Sequence, residues 1–260
     1  MRPLCALAVL CWLAAAAVAP REAAAYHEAT IHLEPRLWFP ALSAEVRSSR
    51  GGLTGEVLTD SDLAIDDPVV PGAAVTVRLG PHSLRLEGLS ASADGDTRVD
   101  RTFNFAGRTY TVDTRVTSEF DALIVALDYG YDLFRTEPLA VTATLGARIV
   151  DAEARLTAPE LGFAGEASFQ GVVPAVGILL VAHPVPVPPL SSLALTLRVS
   201  GLTIGDRGSY FDVDGAVEWL PVPTLALRAG YRFVHGRGEE GGDRAEFDLS
   251  GPYVGVTFAF

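Results

Sequence analysis

Most of the chain alternates between large apolar residues and small or polar ones with a period of two. The clearest stretch is residues 123–132, LIVALDYGYD, where the large apolar side chains share one face and small or charged ones share the other. Successive side chains of a β-strand point to opposite faces, so this pattern predicts a strand with one apolar face. Such a face can meet lipid around a membrane barrel or the core of a soluble sheet.

The same alternation recurs along the chain and sets the number of strands. The predicted strands lie near residues 36–47, 73–79, 84–87, 123–132, 139–148, 168–181, 193–200, 211–219, 225–233 and 251–260. This makes about ten strands, or about eight if two of the weaker ones are loops, and bacterial membrane barrels have an even number. The predicted fold class is therefore all-β, an antiparallel transmembrane β-barrel, with a secreted β-sandwich as the alternative.

The connections between the predicted strands alternate in length. Short ones are predicted at residues 80–82, 133–138, 182–190 and 220–224, and long ones at residues 48–72, 92–116, 151–167, 201–208 and 236–247. Bacterial barrels join their strands by short periplasmic turns and longer extracellular loops. With the amino end in the periplasm, every long connection falls outside the cell.

Aromatic residues fall into two groups by depth in such a barrel. Trp38, Tyr129, Tyr131, Trp219 and Phe260 lie near the periplasmic strand ends, and Phe120, Phe169, Tyr210, Phe211 and Phe233 near the outer ends. Membrane barrels carry an aromatic girdle at each interface, whereas a soluble sandwich has no reason to order aromatics by depth. The aromatics therefore favour the membrane barrel.

The sequence ends in a strand-like segment with an aromatic last residue. Within residues 251–260, GPYVGVTFAF, the marked positions are Tyr253, Val256, Phe258 and Phe260. This ending resembles the terminal strand of bacterial outer-membrane β-barrels, where it resembles the signal read by the barrel-assembly machinery. Small barrels of the OmpA, OmpX and OmpW types are the nearest architecture. The resemblance implies an outer-membrane location, contact with membrane lipids and lipopolysaccharide, and no catalytic residue.

The amino end has the composition of a secretory signal. Arg2 precedes an apolar run over residues 4–19, and alanines at 23–25 provide a cleavage site. Residues 1–25 are therefore predicted to be a signal peptide, followed by a barrel domain over residues 26–260. Both cysteines, Cys5 and Cys11, lie in the signal, which excludes a disulfide scaffold in the mature chain. The net charge of −12 disfavours nucleic acid as a partner.

Opposite charges fall on the face of small and polar residues that a barrel would turn inward. The set is Asp212, Asp214 and Glu218 on one strand, Arg228 and Arg232 on the next, and Arg148 and Arg198 on two others, and Arg85 and Glu87 on a further strand extend it. A hairpin centred near residues 221–223 brings the first five within cross-strand reach. Because a barrel of about eight to ten strands is narrow, we favour a lumen filled by ion pairs. A gated or ion-selective channel is the alternative.

Two long loops carry charged residues that could bind ligands. The first contains Asp60, Asp62, Asp66 and Asp67 but lacks the full pattern of a calcium loop. The second contains Arg98, Arg101, Arg108 and Arg115 among Phe103, Phe105 and Tyr110. It predicts a small projecting hairpin, whose arginines suit lipopolysaccharide phosphates or simply decorate a surface loop.

No catalytic residue, metal site or cofactor is predicted. His235 is the histidine near an outer rim, and no pattern of base and nucleophile accompanies it. The expected function is that of a non-enzymatic integral barrel with a structural or surface-interaction role. The alternative is a narrow channel or transporter for small or hydrophobic solutes.

Overall fold

The structure, a computed structural model, describes residues 30–47, 57–59, 67–98, 102–105, 108–136, 138–183, 192–203, 208–240 and 243–260. The predicted signal peptide lies outside these residues. The strands are β1 (Ile31–Trp38), β2 (Ala41–Arg47), β3 (Val57–Thr59), β4 (Val70–Leu79), β5 (His82–Arg98), β6 (Phe103–Phe105), β7 (Arg108–Tyr110), β8 (Arg115–Arg135), β9 (Leu139–Ala158), β10 (Phe163–Ala182), β11 (Leu193–Thr203), β12 (Gly208–Val222), β13 (Leu225–Glu240) and β14 (Asp243–Ala259). In this part of the chain no helix has the length and hydropathy to cross a membrane.

Ten of these strands close into an antiparallel barrel. Their order is β1, β4, β5, β8, β9, β10, β11, β12, β13 and β14, and β14 pairs back with β1. The prediction of a ten-stranded antiparallel barrel is therefore confirmed. The hairpin predicted in the second long connection is also present, as the pairing of β6 with β7.

The strand that closes the barrel begins earlier than predicted. β1 pairs with the lower part of β14, from His32 opposite Ala259 to Trp38 opposite Tyr253. The predicted segment 36–47 is divided after Trp38, and β2 pairs with the upper part of β14. The β1–β14 register has no pair at Pro35, which has no N–H to donate.

Three of the predicted long loops are mostly strand. β9 and β10 continue to a tight turn between Ala158 and Phe163, where residues 151–167 were predicted to be a loop. β5 and β8 remain paired up to Arg98 and Arg115, and β13 and β14 up to Glu240 and Asp243. These paired upper parts, together with β2, form what we call the extension.

The two faces of the long strands exchange character at one level. In β8, Leu123 is the last apolar outward residue and Asp121 the first polar one. On the inward face of the same strand, the charged Asp128 lies below the change and the apolar Ile124 lies at it. The same outward change occurs from Gly88 to Ser90 in β5, Ile149 to Asp151 in β9, Val172 to Gln170 in β10, Phe233 to His235 in β13 and Pro252 to Ser250 in β14. The alternation therefore continues into the extension with its faces reversed.

This reversal divides the barrel into two zones. Below the change, apolar side chains form an exposed outer band, as lipid contact requires, and charged side chains fill the lumen. Above it, polar side chains face outward and apolar ones face inward, as in a protein surrounded by water. The prediction of loops at these positions was wrong because a strand with reversed faces no longer matches the lipid-facing pattern.

The aromatic residues are only partly arranged as predicted. Tyr129, Tyr131, Trp219, Phe211 and Phe260 are exposed on the outer face, in keeping with girdle positions. The assignment of Trp38, Tyr210 and Phe120 to the girdles was wrong, because these side chains belong to the inward sets of their strands. Trp38 is only 1% exposed. The side chain of Phe169 lies outside the described set.

Candidate functional site

Charged residues from four strands meet inside the barrel. They lie on the inward faces of β1, β5, β12 and β13 and are all buried. We call them the charged layer: Glu34, Arg36, Arg85, Glu87, Asp212, Asp214, Glu218, Arg228 and Arg232. Seven of these residues were predicted from the sequence as lumen charges, all except Glu34 and Arg36.

The predicted hairpin pairs lie directly opposite each other. Asp214 faces Arg232 and Glu218 faces Arg228 in the β12–β13 register. The closest contacts, however, are diagonal: Nη2 of Arg232 lies 2.7 Å from Oδ2 of Asp212. Arg228 lies 3.5 Å from Asp214 and 3.7 Å from Glu218.

The ion pairs also cross the lumen between strands that are not neighbours. Arg232 reaches Oε1 of Glu87 on β5 at 2.7 Å. Arg36 on β1 donates to the same carboxylate and to Asp214 on β12, the latter at 3.1 Å. These contacts connect opposite walls of the barrel.

A second arginine–glutamate group completes the charged layer. Glu34 accepts from Arg85 at 3.0 Å and lies 3.1 Å from Arg228. Arg85 also contacts Oε2 of Glu87 at 3.0 Å. Each guanidinium therefore faces two or more carboxylates, which offsets the loss of hydration that burial imposes on a charge.

Arg148 and Arg198, the other two predicted lumen residues, lie on β9 and β11. Nη1 of Arg148 donates to Asp128 at 2.7 Å, and its Nη2 donates to Ser200 at 3.3 Å. Arg198 is half-buried and makes no hydrogen bond, and no ion pair within 4.0 Å, with any residue in the described ranges. It lines a small cavity beside Asp128.

Aromatic rings cover the charged layer on the side of the extension. The guanidinium carbon of Arg36 lies 5.5 Å from the ring centre of Tyr253, and that of Arg232 lies 5.5 Å from Trp38. A Cβ at Gly230 would lie 2.6 Å from Cζ of Tyr253, so glycine provides the space for this ring. These contacts are cation–π interactions that are protected from water.

An apolar layer follows the charged layer in each of four strands. Trp38, Leu89, Tyr210 and Val234 occupy the next inward positions after Arg36, Glu87, Asp212 and Arg232. They belong to one cluster, the apolar layer: Trp38, Val70, Leu89, Ala91, Tyr210, Ala216, Val234, Leu249 and Tyr253. Ile124 and Val173 pack against it from the opposite wall. The lumen is thus crossed by a charged layer and an apolar layer in contact.

Sequence reasoning missed Glu34 and Arg36. Both belong to a regular alternation over residues 31–38, IHLEPRLW. The predicted strand began only at residue 36 and so left out its first half. Glu87 and Arg85 were visible as inward charges, but their partners could not be assigned because those partners lie on β1 and β13. The alternation before Pro35 was the signal that could have identified Glu34.

The other predicted residues are placed outside this site. His235 is on the outward face of β13, and its Nδ1 lies 2.8 Å from Oδ1 of Asp248.

The charged residues of the two long loops are only partly described. Arg98 pairs with Glu160 and Arg115 with Asp96, while Arg101, Asp60, Asp62 and Asp66 lie outside the described residues. Oδ1 of Asp67 accepts a hydrogen bond from the backbone of Leu42. Among the described residues no His, Cys, Asp and Glu group is arranged to hold a metal ion.

The four residues of the predicted assembly signal lie on the two faces of β14. Val256 and Phe258 face outward, and Phe260, which follows the strand, is exposed. Tyr253 instead faces inward, is 1% exposed, and donates from its hydroxyl to Asp214. Tyr253 therefore joins the closing strand to the charged layer.

Comparison with solved structures establishes the class of the fold. The outer membrane protease OmpT from Escherichia coli superimposes with a TM-score of 0.56 at 10% identity, covering 89% of this chain and 97% of that one. The protein has the fold of an outer-membrane β-barrel. At this identity the likeness concerns the fold alone. No protein-family model matches the chain, and no curated protein matches its sequence.

Other outer-membrane barrels are similar at a lower level. The attachment invasion locus protein Ail of Yersinia pestis has a TM-score of 0.40 at 9% identity, over 89% of this chain and 99% of that one. The translocator domain of the autotransporter NalP from Neisseria meningitidis has a TM-score of 0.44 at 12% identity, over 95% and 97% of the two chains.

Proposed function

We propose that this outer-membrane barrel is a non-enzymatic surface protein with a closed lumen, whose extension contacts the outer leaflet or an external partner. The observation that carries the proposal is the stacking of the charged layer on the apolar layer. Conduction needs a continuous water path, and the two layers interrupt it by different means. Ion pairs tie opposite walls together, and buried apolar side chains exclude water above them.

The extension is the part that an external partner would meet. Its outward face is rich in exposed carboxylates: Asp94, Asp96, Glu119, Asp121, Asp151 and Glu166. Some of these are paired with arginine, as Glu166 is with Arg155 at 3.1 Å. An acidic surface just above the lipid contacts anionic lipopolysaccharide through divalent cations, which carboxylate oxygens bind well.

The absence of enzymatic activity is part of the proposal. His235 has a carboxylate partner but faces outward, just above Phe233 and away from the lumen. Ser209 lines the same open pocket as His235, but among the described contacts no hydrogen bond joins the two side chains, and a hydrolase requires its nucleophile and base in contact. We expect a His235→Ala variant to leave any lipid A or peptide turnover of the preparation unchanged; a loss of turnover on this substitution would contradict the proposal.

Single-channel recording in planar bilayers tests the closed lumen. Purified, refolded protein is expected to give no steady conductance over hours, while an open porin measured in the same membrane provides the positive control. A stable and reproducible unit conductance would refute closure and favour the alternative of a narrow channel. Liposome swelling with small sugars gives a second readout, and swelling no faster than in empty vesicles is expected.

Binding to lipopolysaccharide tests the proposed contact. We expect the folded barrel to retain lipopolysaccharide in native mass spectra with Ca²⁺ present and to lose most of it in EDTA. A variant with Asp94, Asp121 and Asp151 changed to Asn should bind less in Ca²⁺, because it has fewer cation ligands. Equal binding by both proteins in both buffers would contradict the contact.

A further inference from the structure

A small cavity lies in the lower lumen, between the charged layer and the periplasmic end. Its volume is about 30 Å³, and three arginines line it: Arg78, Arg85 and Arg198. They come from β4, β5 and β11, which the barrel brings together across the lumen. We propose that this cavity binds a small monatomic anion, of which chloride is the common example.

The first argument is that, among the described residues, no carboxylate lies within ion-pair distance of Arg198. Its register neighbour on β12 is Asp214, but that carboxylate already serves Arg36, Arg228 and Tyr253. In the part of the chain that the structure describes, Arg198 has no hydrogen bond and no carboxylate within 4.0 Å. A positive charge withdrawn from bulk water and left without a partner is costly, and an anion relieves that cost.

The second argument is that the cavity wall offers donors in excess of acceptors. The Nε atoms of Arg78 and Arg85 are buried without a hydrogen-bond partner. The hydroxyl groups of Ser83 and Thr144 also line the cavity and make no hydrogen bond with another described residue. Guanidinium and hydroxyl groups all donate, so a group that only accepts satisfies them together.

The carboxylates near the cavity are already neutralised. Asp128 lines it, but its Oδ1 accepts from Arg148 at 2.7 Å. Asp132 is held by Arg78 at 3.0 Å and by Arg135 at 2.7 Å. Each of these carboxylates is thus bound to another arginine, and Arg198 is left as a lining guanidinium with no ion pair among the described residues, which favours an anion over a neutral water molecule.

The size of the cavity limits the ligand. A cavity needs roughly 10–15 Å³ to hold one water molecule. The volume of about 30 Å³ therefore accommodates one monatomic ion and leaves little additional space. Phosphate, sulfate and the carboxylate end of a larger ligand are too large for it. The structure thus favours chloride or bromide over polyatomic anions.

Bromide provides a direct test, because it scatters anomalously. In crystals of the full barrel soaked in sodium bromide, we expect an anomalous peak in the cavity within hydrogen-bonding distance of Arg198. The peak should disappear in Arg198→Gln and persist in Arg155→Gln, a matched change on the extension. A wild-type crystal with peaks at the surface only, or with water in the cavity, would overturn the proposal.

A solution measurement keeps the test independent of crystals. The temperature at which the unboiled gel mobility changes to the boiled one should be higher in sodium chloride than in sodium gluconate of equal ionic strength, because ligand binding stabilises the folded state. Arg198→Gln should remove this difference, and Thr144→Val, which keeps the arginines, should reduce it. An unchanged difference in Arg198→Gln refutes the site; if that variant does not fold, an unchanged difference in Thr144→Val refutes it instead.

Discussion

At the scale of single residues, the position of an arginine decides what it contributes. Arg36 is buried and shared between Glu87 and Asp214, whereas Arg155 is half exposed on the extension among Glu119, Glu153 and Glu166. A buried charge that loses its partner stays unhydrated, but an exposed one returns to water. The two residues therefore form a matched pair for mutation.

We predict that Arg36→Ala destabilises the folded barrel by about 3–5 kcal/mol, because it leaves two buried carboxylates short of a partner. Arg155→Ala should change the free energy of unfolding by about 0–1 kcal/mol. Urea unfolding in lipid vesicles, followed by tryptophan fluorescence, measures both. Equal effects of the two substitutions would mean that the charged layer does not hold the walls together.

The pair of Asp96 and Arg115 on the extension predicts a pH dependence. The side-chain hydrogen bond from Arg115, at 2.9 Å from Nε to Oδ1, lowers the pKa of Asp96 below its usual value. A lowered pKa means that the stabilisation is complete above the usual value and is lost as the pH falls through the lowered one, that is, below about pH 4.

NMR titration of the Asp96 carboxyl carbon checks this expectation. The midpoint should lie below that of an aspartate in an unfolded peptide, and Arg115→Gln should return it toward the peptide value. A midpoint unaffected by Arg115→Gln would show that the contact does not persist in solution.

At the scale of elements, each long strand serves two environments. The outward face of β8 contacts lipid at Leu127 and water at Asp121, which lies six residues earlier in the chain and nearer the end of the extension. The period of two is retained throughout, so the hydrogen-bonded ladder is continuous while the polarity of each face is reversed. This reversal is why the predicted strands were correct in number but too short.

We predict that a substitution to arginine destabilises the barrel at the first of these positions and has little effect at the second. Leu127→Arg places a charge against lipid and should destabilise the barrel by about 2–4 kcal/mol. Asp121→Arg, on the same face but above the outer band, should change stability by about 0.5 kcal/mol or less. Equilibrium folding into vesicles distinguishes them; a large effect at Asp121 would place the membrane boundary higher than the change of faces.

At the scale of the whole molecule, we predict the direction of the chain from the extension, whose polar outer face lies at the end of the barrel opposite the termini. The turn at Thr224 lies at the end where both termini of the barrel meet, and Asp151 lies on the extension at the other end. With the amino end in the periplasm, these positions are on opposite sides of the outer membrane. The predicted removal of Cys5 and Cys11 with the signal peptide makes the mature chain suitable for labelling.

Labelling of single cysteines tests this orientation. In intact cells, Asp151→Cys should react with a membrane-impermeant maleimide, and Thr224→Cys should react only after the outer membrane has been permeabilised. Leu127→Cys, which faces lipid, is expected to react slowly in both conditions. The reverse order of labelling for Asp151 and Thr224 would overturn the assigned direction.

The sequence by itself determined the class of fold, because alternation along a strand is a local property. Ten alternating segments and the hairpin pairs of β12 and β13 could be recognised from neighbouring residues alone. Only the tertiary structure decided that Arg36 meets Glu87 and Asp214, that Arg232 meets Glu87, and that Arg198 has no ion pair within the described part of the chain. These features depend on contacts across the barrel, between strands far apart in sequence, and periodicity carries no information about which inward residues meet there.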